Sequence, residues 1–203
     1  MNSVAPDLHC QFGLPLAQVE SSPVQRFHVY WRDLTRVRPL PSRADIEPAD
    51  IKHLLPYILL VDIESRPFRV RYRVCGTRVA DMCGDVTGQY LDELDGSSVW
   101  SPAMFQQQYK LVCERRVPIF GRQWVLSRFN TRHPCLIGIW PLTKNGREVD
   151  MCIAIEDYLE MRPEQLGRSG SAVSCWPTRS WWHVPDHGVL ASQAASDRRS
   201  PSL

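Results

Sequence analysis

Residues 68–74, Phe-Arg-Val-Arg-Tyr-Arg-Val, alternate without a break between apolar residues and arginine. A period of two is the signature of an extended chain with one buried and one wet face. The preceding stretch, Tyr57 to Glu64, is an apolar run rich in β-forming residues. Only Ser65-Arg66-Pro67 separates the two, which is short enough for a hairpin. The chain is therefore committed to an antiparallel sheet, and the remaining sequence must supply further strands and a cover.

The cover begins upstream. In residues 24–37, Val24, Phe27, Trp31 and Leu34 recur at helical spacing, with arginines and Asp33 mostly elsewhere. This predicts an amphipathic helix that stops before Pro39 and Pro41. A second, short helix is expected at about 48–55, with Pro48 in its first turn and Ile51, Leu54 and Leu55 on its apolar face. Residues 77–94 break into small pieces around Gly84 and Gly88. Ser101-Pro102 is a strong helix start, and Arg115-Arg116 suits the C-terminal end of that helix. Three more strands are expected at about 119–128, 133–142 and 148–157, the last two joined through Asn145-Gly146, a favoured hairpin turn.

The predicted fold class is α+β: a five-stranded antiparallel sheet with helices on one face and amphipathic helices at the N-terminus. Residues 1–23 read as a flexible lead-in, 24–160 as the domain, and 161–203, rich in Ser, Pro, Gly and Arg, as a tail expected to be disordered.

Two groups of motifs carry a family resemblance. One comprises Tyr30-Trp31-Arg32, Leu40-Pro41-x-Arg43 and Asp45-Ile46-x-Pro48; the other comprises Arg73-Val74-x-Gly76-Thr77 and Asp85-x-Thr87-Gly88. Together with the element order they resemble the bacterial, largely alphaproteobacterial, PAS-like family of single-domain sensory and regulatory proteins. The resemblance covers about residues 24–160. It implies the PAS architecture, a sensory or regulatory role in signal transduction, and a cavity between the sheet and its helices. It does not imply a particular ligand.

Strand alternation and helix stripes then nominate the cavity lining: Val70, Tyr72 and Val74 from the second strand; Phe105, Tyr109 and Val112 from the long helix; and Trp124, Met151 and Ile153 from the closing strands. Val24, Phe27, Trp31 and Leu34 nominate a dimer or partner surface, with simple coverage of the outer sheet face as the alternative. Gly76, between a strand and a helix, marks a close approach or a special backbone conformation. Asp85 and Thr87 are suited to fixing the turn at Gly88.

Composition excludes several classes. The chain has 24 basic and 22 acidic residues, too even a balance for a phosphate-binding surface, so no nucleic-acid partner is expected. Its longest apolar runs are far shorter than a membrane helix, and the N-terminus shows no secretory signal, so a cytoplasmic location without membrane contact is expected. Seven cysteines without a C-x-x-C pair read as reduced, mostly buried thiols rather than a zinc site, and no metal is expected. The sequence contains no phosphate loop, G-x-S-x-G or H-E-x-x-H motif, and no catalytic residue is nominated.

The function expected is a non-catalytic module that binds a small ligand, a protein partner or both, with a homodimer and an unidentified signalling protein as its partners. The alternatives are a ligand-free interaction adaptor and a haem or flavin redox sensor. The flavin motif Asn-Cys-Arg-Phe-Leu-Gln of light-oxygen-voltage domains is absent, the long helix has no His, and no cofactor is expected. The purified protein should be colourless; a Soret or flavin band in its visible spectrum would establish the redox sensor instead.

Overall fold

A computed structural model describes residues 11–94, 102–128 and 132–159, apart from the side chains of Trp124, Leu126 and Arg132. The lead-in before residue 11, the Ser101 cap and the tail at 161–203 lie outside the described residues.

The fold is α+β, with one antiparallel sheet. Its strands are β1 (Gln11–Phe12), β2 (Ile58–Ser65), β3 (Phe68–Cys75), β4 (Ile119–Leu126), β5 (Arg132–Leu142) and β6 (Met151–Tyr158), in the order β1-β4-β5-β6-β2-β3. Three helices accompany them: α1 (Ser22–Thr35), α2 (Thr77–Cys83) and α3 (Pro102–Arg115). β2 is the joint of the sheet, because it pairs with β3 on one side and with β6 on the other.

The five expected strands are all present, and β1 adds a sixth. Phe12 packs edge-to-face on Phe105, with ring centroids 6.0 Å apart. Opposite β1 stands Gly121, where a Cβ would lie 2.6 Å from both the Gln11 carbonyl and the Phe12 ring. Leu14 and Val19 are also buried. Residues 11–22 of the expected lead-in are therefore part of the fold. A two-residue strand shows no periodicity, which is why pattern alone does not reveal it.

The helix expected at 48–55 is instead a series of turns followed by a 3₁₀ turn at Leu55–Tyr57. Its backbone bonds, Asp50 N–H to the Glu47 carbonyl and Leu54 N–H to the Ile51 carbonyl, span three residues rather than four. Ile51 and Leu54 are nonetheless buried as expected, whereas Leu55 is exposed.

Helices cover both faces of the sheet. α1 lies on the outer face. Ser21 caps it by accepting from Val24 N–H and ties it to the sheet by donating to Asp157 Oδ2 at 2.8 Å. Phe27 meets Trp140 edge-to-face at 4.7 Å, and Trp31 Nε1 donates to the Pro141 carbonyl at 3.2 Å. Trp140 Nε1 donates to His28 Nδ1 at 3.3 Å. Burial and then the charge of Arg32 hold the His28 pKa below its ordinary value, so Nδ1 stays available as an acceptor. Room for the Trp140 indole comes from Gly138, where a Cβ would stand 2.4 Å from the ring.

Consequently Val24, Phe27 and Trp31 are buried within the chain and Leu34 is half-buried. The stripe nominated as a dimer surface is spent on the outer sheet face, because an apolar helix face gains most by meeting the apolar face already beside it. The inner face packs against α2, Leu91 and α3, with Phe105, Tyr109 and Val112 of α3 in one cluster with Val61, Val70, Tyr72, Ile137 and Ala154.

Removing the Phe27 ring leaves a cavity beneath α1, and Phe27→Ala should cost about 3–5 kcal/mol in urea unfolding. A loss below about 1 kcal/mol, the level of an ordinary surface change, would mean that α1 does not hold this face in solution.

Candidate functional site

A cavity of about 380 Å³ lies between the inner face of the sheet and the segment that follows α2. Leu59, Tyr72, Val125 and Glu156 form its sheet wall. Val79 and Cys83 of α2 and the loop residues Gly84, Asp85, Val86 and Gln89 form its other wall, with Ser127 and Arg128 where β4 ends. The volume is at the lower end of the range for small-molecule sites, about 300–1,000 Å³.

The loop wall owes its shape to local chemistry. Gly84 and Gly88 have φ of 91° and 87°, values that favour glycine. Asp85 Oδ1 accepts the Thr87 N–H at 2.9 Å, fixing the turn as its sequence suggests. Gly76 admits the chain to α2 by close approach: a Cβ there would be 2.5 Å from the Leu55 and Pro56 carbonyl oxygens.

Beyond Gly88 the loop runs along the free edge of β3. Gly88 N–H donates to the Tyr72 carbonyl and Tyr72 N–H to the Gln89 carbonyl, at 2.8 and 2.9 Å. Tyr90 then fastens it: its hydroxyl donates to Glu64 at 2.7 Å, and the Arg69 guanidinium lies 3.7 Å over its ring. Arg69 also pairs with Asp92 at 2.9 Å and Glu93 at 2.6 Å. Residues 84–93 thus form a strap that closes the cavity and is stitched to the β2–β3 hairpin.

The nominated lining residues separate into groups. Tyr72 lines the cavity. Val70, Phe105, Tyr109 and Val112 belong to the adjoining core cluster rather than to the cavity wall. Trp124 pairs with Pro134 across β4 and β5, and its side chain lies outside the described residues.

Val74 faces the other way. Val61 pairs with Tyr72 but Leu60 with Val74, so Arg73 is an extra residue, a bulge that turns Val74 outward and leaves it 46% exposed. Met151 and Ile153 are buried but on the wrong face. Ile153 pairs with Trp140, which packs under α1, and Met151 lies two residues away on the same side. Cys152, Ala154, Glu156 and Tyr158 are the residues of β6 that face inward.

Sequence reasoning missed Glu156 and the polar groups around it. The Glu156 carboxyl is buried against the cavity and accepts a hydrogen bond at Oε2 from the Tyr158 hydroxyl. Burial raises its pKa to about 6, partly offset by that bond. The Cys83 sulfur is 3.4 Å from the same hydroxyl, and burial, then the Glu156 charge, pushes the Cys83 thiol up to about 12. Burial also raises the Cys75, Cys135 and Tyr72 pKa values. These thiols stay protonated at neutral pH and are poor nucleophiles. Nearby, Gln123 stands opposite Cys135 with its amide oxygen and nitrogen buried. Among the described residues no cluster of three or more His, Cys, Asp or Glu is placed to hold a metal ion, and no helix is long and apolar enough to cross a membrane.

The PAS domain family model matches residues 19–118, from the approach to α1 to the end of the α3–β4 connection. Residues 19–118 belong to the PAS domain family. PAS domains are generally non-catalytic sensory modules. Among solved structures, VqmA bound to DPO is similar at 17% identity and a TM-score of 0.46, over 56% of this chain and 57% of that one. The chain thus spans little more than half the length of that protein. A fungal LOV domain photoreceptor is similar at 15% identity and a TM-score of 0.43, over 68% of this chain and 95% of that one. No curated protein matches the sequence.

The raised pKa of Glu156 makes stability depend on pH. The native state keeps this proton where the unfolded chain, titrating near 4.5, has lost it. Stability from this group is therefore full below about pH 4.5 and declines as pH rises through about 6, by about 2 kcal/mol in all. Glu156→Gln should remove that decline, so its unfolding free energy relative to the parent protein should rise by about 2 kcal/mol between pH 4.5 and 8. Parallel pH profiles for the two proteins would contradict the assignment.

Proposed function

We propose that this PAS domain is a ligand-responsive signalling module, in which a small organic molecule occupies the 380 Å³ cavity and repositions the strap at residues 84–93. The observation that carries the reading is the double role of the strap. Gly84, Asp85, Val86 and Gln89 are cavity wall, while Gly88, Gln89 and Tyr90 are also bound to the edge of β3. A ligand that displaces the wall therefore acts on the hairpin edge through covalently continuous backbone. Two glycines at positive φ flank the wall and give it two points about which to turn.

The energetics favour a switch rather than a fixed plug. The bonds holding the strap are largely exposed: the Arg69 pairs with Asp92 and Glu93 lie at the surface, where each ion pair contributes about 0–1 kcal/mol. Ligands shift such an equilibrium only by their differential affinity for its two states, and a few kcal/mol of restraint is within reach of a small molecule.

The output surface in this reading is the outer side of the β2–β3 edge. Arg71, Arg73 and Val74 are exposed there, with Arg73 3.3 Å from Asp62. This surface takes the place of the α1 stripe as the site that a signalling protein or a second copy of the chain would read.

Native mass spectrometry of gently purified protein should show an added small-molecule mass. Stripping that molecule should speed hydrogen exchange in 84–93 while leaving α1 unchanged. Equal exchange in the strap with and without the molecule would overturn the proposal.

A further inference from the structure

We propose that the molecule bound in this cavity presents a hydrogen-bond-donating nitrogen, preferably cationic, on an apolar ring body, and that Glu156 is the residue that receives it. This rests on the ligand-binding reading above and names the chemistry of its ligand.

The argument starts from the rarity of a buried carboxylate. Glu is almost never fully buried unless it is paired, because an isolated charge is costly to desolvate. Glu156 is buried, and no cation contributes to setting its ionisation. Among the described residues its one hydrogen-bond donor is Tyr158, and that bond goes to Oε2. Among the described residues no donor reaches Oε1, and the residue forms part of the cavity wall.

The surroundings decide what can complete the pair. The groups that feel the Glu156 charge are Tyr72 and Cys75 on β3, Cys83 on α2, Tyr109 on α3, Cys135 on β5 and Tyr158 on β6. All have pKa values raised above their ordinary ranges, so at neutral pH all are uncharged. The other ionic groups in the cavity wall are Asp85 and Arg128, which oppose each other in sign. The interior therefore presents one negative charge. An amine, an amidine or a protonated heteroaromatic ring satisfies it with a charge-assisted hydrogen bond. A carboxylate or phosphate placed there meets like charge. Leu59, Val79 and Val86 line the same space and suit an apolar ring.

Indole, tryptamine and indole-3-acetate share one ring body and differ in charge, so they separate the ligand's shape from its head group. Binding to the full chain at pH 7.5 is measured by calorimetry, with side-chain NMR shifts of Val79 and Val86 reporting location. Tryptamine is expected to bind roughly tenfold to hundredfold more tightly than indole-3-acetate, and Glu156→Gln to remove that preference while indole binding persists. Should the variant not fold, the parent protein still decides. Its affinity for tryptamine should rise about tenfold from pH 5 to pH 7 as Glu156 ionises, with indole unchanged. Indole bound in the cavity, with indole-3-acetate equal to or tighter than tryptamine, would overturn the inference and leave the ligand-binding reading standing. So would a tryptamine affinity that does not vary with pH. Absence of indole and tryptamine alike from the cavity would overturn the inference, while the ligand-binding reading is decided by the mass and exchange measurements above.

Discussion

The structure depends on the burial of β5 and β6 on both faces. α1 presses Phe27 and Trp31 onto Trp140 and the Pro141 carbonyl from outside, while α3 presses Phe105, Tyr109 and Val112 onto the opposite face. Neither strand can shift register by one residue without exchanging every side chain between two different packed environments. Gly138 makes this concrete: only its missing side chain lets the Trp140 indole lie flat enough to meet Phe27. The cavity exists because this frame is rigid. Glu156 in its sheet wall belongs to a strand held from behind, while the opposite wall, beyond Val79 and Cys83 of α2, is a short loop bonded to the β3 edge.

Double burial also explains which features were legible in the sequence. The half-wet strand β3 was readable because one of its faces meets solvent, and Phe68 to Tyr72 follow the expected alternation. β6, whose burial continues through both phases, offers two apolar sets, Met151-Ile153-Ile155 and Cys152-Ala154. Periodicity cannot rank them: the larger side chains lie under α1 and the smaller set faces the inner helices. The informative residue was Glu156, a carboxylate continuing the smaller set inside an apolar strand. The bulge at Arg73 was illegible for a different reason, since it is defined by the partner strand and leaves no mark on the alternation of β3 itself. The stripe of α1 is legible as apolar in the sequence, but a stripe does not name the surface that covers it.

The edge of β3 shows how the fold manages an exposed strand. An unpaired edge invites another chain, and here the chain supplies its own cover by folding residues 88–90 back along it. The same arginines that mark the strand as half-wet serve this purpose. Arg69 stacks on Tyr90 and pairs with Asp92 and Glu93, and Arg73 pairs with Asp62, which also meets Lys144 from the β5–β6 connection. The row is therefore an internal fastening for most of its length, and the acidic residues after Tyr90 are its counterpart rather than an independent acidic patch.

These features place the least compensated charge of the interior beside its least constrained wall. A carboxylate as deep as Glu156 in a close-packed core would be neutralised or replaced, because burying it unpaired costs more than one well-packed apolar side chain returns. In the cavity wall the same group has one oxygen fixed by Tyr158 and lies beside space that the strap borders. Its ionisation state therefore responds to what fills that space, and so does the strap. Under the proposed function, a molecule that relieves the charge would stabilise the strap through Glu156, and one that only fills volume would act through Val79 and Val86. Both contributions would reach the β3 edge by the same short loop, so the proposal couples the chemistry of the ligand to the output surface through fewer than ten residues of backbone between Gly84 and Tyr90.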